Sequence, residues 1–203
     1  TSDFINLITE FNNQLNAFEN NLDSSVTVRR SNYRKIFEII SVRKQIALSI
    51  ARNDAEYAVA FIDQTSKLLT RKEFDNYGAS DESLLQQVLN VMSVQNVDKA
   101  LSIAKKTLEK NLTNGHVELA KRIHKKDAEK GRELADDIFD KIKSDKAVNE
   151  GYLLSNILEF GKTDIANSKK NPKVKLVFSK ESLEAIAEIF AVNLLKRKEV
   201  NEY

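Results

Sequence analysis

The scarcity of turn-forming residues is the strongest constraint on this chain, which has only five glycines and one proline in 203 residues. β-Sandwiches and barrels need a turn about every 8–12 residues, and glycine and proline supply many of those turns. The five glycines also stand apart from one another, so the phosphate-cradling loops GxGxxG and GxxxxGK[ST] are both missing. The sequence therefore excludes an all-β fold, Rossmann dinucleotide binding and P-loop chemistry.

Apolar residues recur at helical spacing along nearly the whole chain, and 41% of the residues are hydrophobic, enough to form a core. Asn53, Asn96 and Ser179 are of the types that cap helix N-termini. We therefore predict an all-α fold, a helical bundle of about seven or eight helices. The one strand-like run predicts a short extended segment near 174–178, more typical of a tether than of a sheet.

One stretch of the chain, 72–83 (KEFDNYGASDES), loses the helical period and collects Asp, Asn, Gly and Ser. This composition predicts a connecting loop at 72–83 between an N-terminal helical subdomain, 1–71, and a C-terminal helical subdomain, 84–203. One continuous bundle, bent at the same place, is the alternative.

A narrow apolar stripe runs along the first predicted helix with a 4-3-4-3-4 spacing, which places its members on one face. The members of this N-terminal stripe are Phe4, Ile8, Phe11, Leu15, Phe18 and Leu22. The stripe has two interpretations: it packs into the chain's own bundle, or it binds a protein partner or a second copy.

The segment from about His116 to Ser144 predicts one long, highly charged helix. Its apolar stripe is interrupted between Lys125 and Gly131. An interruption of this kind indicates a span that projects into water or that waits for a partner, so this helix is a second candidate interaction surface.

Basic residues are concentrated at 29–52, where seven of them accompany the single acid Glu38 and give a local charge of +6 in a chain of net charge +2. Arginine presents a planar fork of donors that suits phosphate. The candidate phosphate-binding residues are Arg29, Arg30, Arg34, Lys35, Arg43 and Lys44. The alternative is that these side chains pair with acids of neighbouring helices.

Other candidate chemistry is sparse. Asp136, Asp137 and Asp140 spell DDxxD, which over five residues resembles the aspartate-rich motif of prenyl-transferring all-α enzymes and implies Mg²⁺. This chain is short for the large apolar cavity of those enzymes, so a solvated acidic face is the preferred interpretation. His116 and His124 lack a third ligand at metal spacing, and we interpret both as surface residues. With no cysteine in the chain, we predict no metal, no cofactor and no catalytic residues.

These observations favour a non-enzymatic helical interaction or structural protein that acts through protein–protein contacts, with a protein partner or self-association. A nucleic-acid-binding module that contacts the phosphate backbone through the 29–52 segment is the alternative. No run of 18 apolar residues and no basic-then-apolar N-terminal pattern is found, so we expect a cytoplasmic protein without membrane contact.

Overall fold

The computed structural model describes residues 2–19, 26–69, 81–144, 151–171 and 175–200, with only the backbone described at 14–19, 26–33 and 196–200. In this part the chain forms nine helices and no strand. They are α1 (Ser2–Glu19), α2 (Val26–Ala51), α3 (Ala55–Ser66), α4 (Asp81–Gln95), α5 (Val97–Lys110), α6 (Asn114–Lys126), α7 (Ala128–Ser144), α8 (Gly151–Lys170) and α9 (Lys180–Val200).

The predicted all-α fold is confirmed over the described residues. Asn96 caps α5 by accepting from Lys99 N at 3.0 Å, and Ser179 caps α9 by accepting from Ser182 N at 3.0 Å, as predicted. The cap of α3 is Asp54, whose carboxylate accepts from Tyr57 N at 3.0 Å, rather than the neighbouring Asn53. Local side-chain chemistry therefore decides where these helices begin.

The segment predicted to be extended near 174–178 lies between α8 and α9. Residue 174 is outside the described part, and residues 175–179 belong to no helix or strand. Val177 and Phe178 are buried at a bend, and Val177 N donates to Asp164 Oδ2 at 2.9 Å. The segment is thus a connection that is tied to α8 by a backbone-to-carboxylate hydrogen bond.

The structure divides into two compact units, Thr1–Met92 and Ser93–Tyr203. The connecting loop predicted at 72–83 lies outside the described residues as far as residue 80. The predicted subdomains 1–71 and 84–203 therefore stay a prediction.

In the N-terminal unit, α1 and α2 pack together and α2 packs along α3. The ring centroids of Phe4 on α1 and Phe61 on α3 are 5.8 Å apart, and Asn12 Nδ2 donates to Leu68 O, just after α3, at 2.8 Å. One aromatic contact and one hydrogen bond thus hold α1 against α3. Apolar side chains of α2 complete the core: Ile36, Ile39, Ala47 and Ala51.

In the C-terminal unit, α7 lies at the centre and packs on α5, α6 and α9, while α8 packs on α9. The buried side chains follow the helical period that the sequence shows. They are Leu101, Leu108, Leu119, Ile123, Leu134, Ile138, Ile142, Leu154, Ile157 and Ile186. Lys105 on α5 adds a polar link to α7, with Nζ 2.7 Å from Glu133 Oε1 and 2.8 Å from Asp137 Oδ2.

The predicted single helix from His116 to Ser144 is wrong. The chain breaks at Asp127, which has an extended backbone (φ −141°, ψ 100°), ends α6 and caps α7 by accepting from Glu129 N and Lys130 N, both at 3.1 Å. The interruption of the apolar stripe is therefore a turn between two helices that pack on each other. Basic residues followed by Asp are typical of one helix ending and the next beginning, and this signal was missed.

Candidate interaction surfaces

The described half of the N-terminal stripe belongs to the core of its own unit. Phe4, Ile8 and Phe11 are all 5% exposed or less. The side chains of Leu15 and Phe18, and Leu22 altogether, lie outside the described residues. The chain itself covers Phe4, Ile8 and Phe11, so these three side chains offer no surface to a partner. This half of the stripe therefore packs into the chain's own bundle, which is the first of its two interpretations.

A shallow groove of about 310 Å³ runs between α1 and α2 beside that core. Leu7 and Val42 line it and are half-exposed, and Phe11 and Ile39 form its buried floor. Charged side chains complete the lining: Glu10, Lys35 and Glu38. The groove is apolar at its floor and charged at its edge, and it has room for a few side chains at most.

Arg43 is the candidate phosphate-binding residue that the structure removes from the surface. Its side chain is 2% exposed; Nε donates to Thr65 Oγ1 at 2.7 Å, and Nη2 donates to Ile62 O at 2.9 Å and lies 2.6 Å from Asp81 Oδ1. Because the Arg43 guanidinium is buried against α3 and the first residue of α4, its donors are not presented to a phosphate in solution.

The remaining basic candidates on α2 are exposed or outside the described part. Arg34 pairs with Glu38 one helical turn on, with Nε 3.1 Å from Oε1, and both side chains are well exposed. Lys35 and Lys44 are exposed, and the side chains of Arg29 and Arg30 lie outside the described residues. Among the candidates whose side chains are described, Arg34, Lys35 and Lys44 are thus exposed and Arg43 is buried.

The DDxxD motif of α7 is split between two faces. Asp137 faces α5 and lies 2.8 Å from the Lys105 ammonium, while Asp136 and Asp140 face water. Partial burial raises the pKa of Asp136, and its neighbours Asp140 and Asp137 act in the same direction. The described residues contain no group of three or more carboxylates or imidazoles placed to hold a metal ion.

Both histidines lie in packed parts of the C-terminal unit. His116 is buried, with Nδ1 accepting from Thr113 N at 3.2 Å and Nε2 3.0 Å from Thr107 Oγ1, so it closes a cap at the start of α6. His124 packs against Gly131, and burial lowers its pKa despite the opposing charge of Asp164. The prediction that both are surface residues is wrong for His116, whose imidazole belongs to the packing of α5 and α6.

The C-terminal half of α9 carries an exposed apolar surface that is not among the surfaces predicted from the sequence. Val192 and Leu194 are each 47% exposed and Leu195 is 63% exposed. Ala187 and Ala191, which precede them on the helix, are exposed as well. We call these residues the α9 outer face: Ala187, Ala191, Val192, Leu194 and Leu195. The opposite side of the helix is buried through Leu183 and Ile186.

A signal for this surface is present in the sequence. Nine of the eleven residues from 185 to 195 are apolar, and the two polar ones, Glu188 and Asn193, lie on different sides of the helix. A helix that is apolar all round is normally covered on every side. Here one side is covered by the unit and the α9 outer face is left exposed, which is the arrangement typical of an interaction site.

Comparison with protein-family models, with curated proteins and with solved structures gives no match for this chain. None of the helices in the described part is long and apolar enough to cross a membrane.

Proposed function

We propose that this chain is a non-enzymatic helical interaction protein, and that it contacts another protein molecule through the α9 outer face. The observation that supports this proposal is the exposure of Val192, Leu194 and Leu195 on a helix whose opposite side is already buried. Removing apolar surface from water is worth about 25 cal/mol per Å², so a contiguous exposed patch favours association.

The two surfaces predicted from the sequence support the proposal less well. The described half of the N-terminal stripe is buried in the core of its own unit, and the charged 116–144 segment folds back on itself at Asp127. The α1–α2 groove is small and its edge is charged. The α9 outer face is an exposed surface of the described part that carries apolar side chains over several turns, with the exposed carboxylates of Glu184 and Glu188 beside them.

Site-specific photo-crosslinking tests this function. Leu195→p-benzoylphenylalanine places a reactive group in the α9 outer face, and Ala166→p-benzoylphenylalanine, at an exposed alanine of α8, is the matched control. In the cells from which the chain comes, we expect a discrete protein adduct from position 195 and none from position 166. Equal adducts from both positions, or none from position 195, would refute the proposal.

Binding to a nucleic-acid backbone through α2 is a second candidate function, favoured by the exposure of Arg34, Lys44 and Arg52. Each phosphate contact on duplex DNA contributes a slope of about −0.9 to the dependence of log K on log salt. Anisotropy titrations of duplex DNA, single-stranded DNA and RNA at several salt concentrations measure this slope. Arg34→Gln with Lys44→Gln is expected to flatten it, and binding that is unchanged in this variant would refute the α2 site.

A further inference from the structure

We infer that the C-terminal unit binds the phosphate backbone of a nucleic-acid duplex at the end where α6 and α8 terminate. The inference concerns a surface other than the α9 outer face and does not rest on the proposed function. It also lies on a different unit from the basic residues of α2. It follows from four exposed cationic side chains, which we call the α6–α8 basic end: Arg122, Lys125, Lys169 and Lys170.

Two contacts show that α6 and α8 lie side by side and run in the same direction. Asn156 Nδ2, early in α8, donates to Asn114 Oδ1, at the start of α6, at 3.2 Å. Further along both helices, the Lys121 ammonium lies 4.2 Å from the centroid of the Phe160 ring. Because the residue numbers rise together in these contacts, the two helices terminate at the same end of the unit.

On α6, helical spacing places two cations beside α8. Lys125 lies one turn after Lys121, whose ammonium contacts the Phe160 ring, and Arg122 lies three residues before Lys125. Steps of three and four residues keep side chains on neighbouring parts of one face. Both Arg122 and Lys125 are exposed, so their charges stand in water next to the line where the two helices meet.

On α8, the same spacing brings two lysines to this end. Asn167 lies seven residues after Phe160, on the side of α8 toward α6, and Lys170 lies three residues after Asn167. Lys169 is next to Lys170 in the last turn of the helix. At 1.5 Å per residue, Lys170 lies roughly 9 Å further along the helix axis than Lys125.

The acids of the adjoining turns already bind other groups. Glu118 pairs with Lys121, Asp127 with Lys130 and Glu129 with Lys175, and Asp164 accepts from Val177 N. Glu159, on the same side of α8, lies eleven residues before Lys170, toward the other end of the helix. The four side chains of the α6–α8 basic end form no ion pair with a described residue, which leaves a local charge of +4 without a partner.

The arrangement of these charges fits a row of phosphates. The cations come from two helices and are spread along the axis, whereas a single small anion requires donors that converge on one point. Phosphates follow one another at a rise of about 3.4 Å along each strand of a duplex, so a spread of roughly 9 Å spans several of them. The exposed amide of Asn167 adds a neutral donor between the two lysine positions.

The absence of a stacking side chain in the described part of this surface favours a duplex over a single strand. Proteins that bind single strands combine cations with aromatic side chains on which the bases stack. The exposed aromatic residue of α8, Tyr152, stands in its first turn, at the opposite end from Lys169 and Lys170. Backbone contacts without base contacts also predict binding with little sequence preference.

Fluorescence anisotropy of a labelled, mixed-sequence DNA duplex, titrated with the full chain at several salt concentrations, tests the inference. Four phosphate contacts predict a slope of about −3 to −4 in log K against log salt, with a Kd of roughly 1–100 μM at low salt. Lys125→Gln with Lys170→Gln removes one cation from each helix. We expect it to flatten the slope by about 1.8 and to weaken binding at least about fivefold.

The matched control is Lys106→Gln with Lys110→Gln, which removes the same charge from two exposed positions of α5. We expect the control to leave the slope unchanged. Equal flattening in the two double variants would show that net charge alone governs binding, and it would overturn the site. All four positions are exposed, so unchanged helicity and Tm show that the variants are folded.

A variant that adds a charge tests the same surface in the opposite direction, because loss of folding cannot produce tighter binding. Asn167→Lys places a fifth cation within the α6–α8 basic end and is expected to steepen the slope by about 0.9 and to tighten binding severalfold. Ser155→Lys, exposed near the start of α8, adds the same charge at the other end and is expected to change neither. Equal gains from both would overturn the placement of the site.

The remaining outcomes separate this site from the other surfaces. Duplex binding that depends on Arg34 and Lys44 but not on Lys125 and Lys170 would assign the contact to α2 and overturn this inference. No duplex binding at any salt concentration overturns it as well. Capture by phosphatidylserine vesicles without duplex binding would overturn it and identify an anionic lipid surface as the partner. The crosslinking result at Leu195 is independent of all these outcomes, so the proposed function stands or fails separately.

Discussion

The two units of this chain hold their helices together in opposite ways. In the N-terminal unit, buried Arg43 on α2 extends a charged fork to Thr65, Ile62 and Asp81. In the C-terminal unit, α6 and α7 approach so closely that only a residue without a side chain fits between them, at Gly131. One unit therefore depends on a large polar side chain, and the other on the absence of one.

The difference teaches what each contact tolerates. Hydrogen bonds from a long side chain such as that of Arg43 are directional. That side chain is flexible, however, and the atoms that accept its hydrogen bonds also form other hydrogen bonds. Thr65 Oγ1, for instance, also donates to Phe61 O at 2.7 Å. A backbone-to-backbone approach has no flexible part that yields. We therefore expect the glycine contact to be the more sensitive of the two to a single substitution.

Gly131→Ala is expected to have the largest effect, a loss of about 3 kcal/mol in the free energy of unfolding. A Cβ at this position would lie 2.3 Å from His124 Cα and 2.4 Å from His124 N, so α6 and α7 would have to separate. The gain in helix propensity from Gly to Ala, at most about 1 kcal/mol, is too small to compensate. Urea unfolding followed by circular dichroism measures the change.

The matched control for this prediction is Gly161→Ala on α8. There a Cβ would meet the Leu183 methyl groups at 2.5 and 2.6 Å, and these belong to a side chain that can change rotamer. We expect a change within about 1 kcal/mol. Equal losses in both variants would show that the nature of the opposing atoms does not decide the cost.

Arg43→Met is expected to cost about 2 kcal/mol, because hydrogen bonds to a charged group are each worth about 1.5–3 kcal/mol and some partners are re-satisfied. Asp81 is 41% exposed and returns to water, and Met fills much of the volume of the arginine stem. Urea unfolding again gives the value.

Arg34→Met is the control, because Arg34 is on the same helix and also pairs with a carboxylate, but in water. Both members of the Arg34–Glu38 pair are more than half exposed. Exposed pairs one turn apart contribute about 0.3–0.5 kcal/mol, so the loss should stay near that size. A loss at Arg34 as large as that at Arg43 would contradict the assignment of Arg43 as the anchor.

Much of the fold follows from the sequence because the residues that a helix buries recur with the helical period. The positions of Leu119, Ile123, Leu134 and Ile138 predict buried faces, and all four are buried. The break at Asp127 was missed because apolar spacing alone does not separate a polar span within one helix from a turn between two. The capping carboxylate and the preceding lysines carry that information.

The candidate sites were harder to predict, because they depend on which helices meet. Arg43 lies four residues after Ile39 and four before Ala47, so the helical period places it on the buried side of α2, but this spacing does not show that Thr65 and Asp81 are its partners. Likewise, the apolar residues of α9 predict burial on every side, and only the packed unit shows which side is left open.

Removing a helix cap should lower the free energy of unfolding equally in the two units, since each cap is local to its own helix. Asp54→Ala removes the acceptor for Tyr57 N at the start of α3, and Asn96→Ala removes the acceptor for Lys99 N at the start of α5. Each is expected to cost about 1 kcal/mol. Unequal losses, measured by urea unfolding under one set of conditions, would mean that the units also differ in how their local structure contributes.

The smallest expected effect is a pH dependence confined to the contact at Gly131. Burial lowers the pKa of His124 below its ordinary value of 6.5; Arg132 and Lys175 act in the same direction, and Asp164 and the Leu176 carbonyl oppose them. Because the unfolded chain then binds the proton more readily, stability is fully present above about pH 6.5 and declines as pH falls toward the lowered pKa. Urea midpoints between about pH 7.5 and about pH 5.5 should therefore decrease, and less so in His124→Gln.

Since His116 is common to both proteins, its contribution cancels in the comparison. Parallel pH profiles for the two proteins would show that the close approach of α6 and α7 does not govern the ionisation of His124.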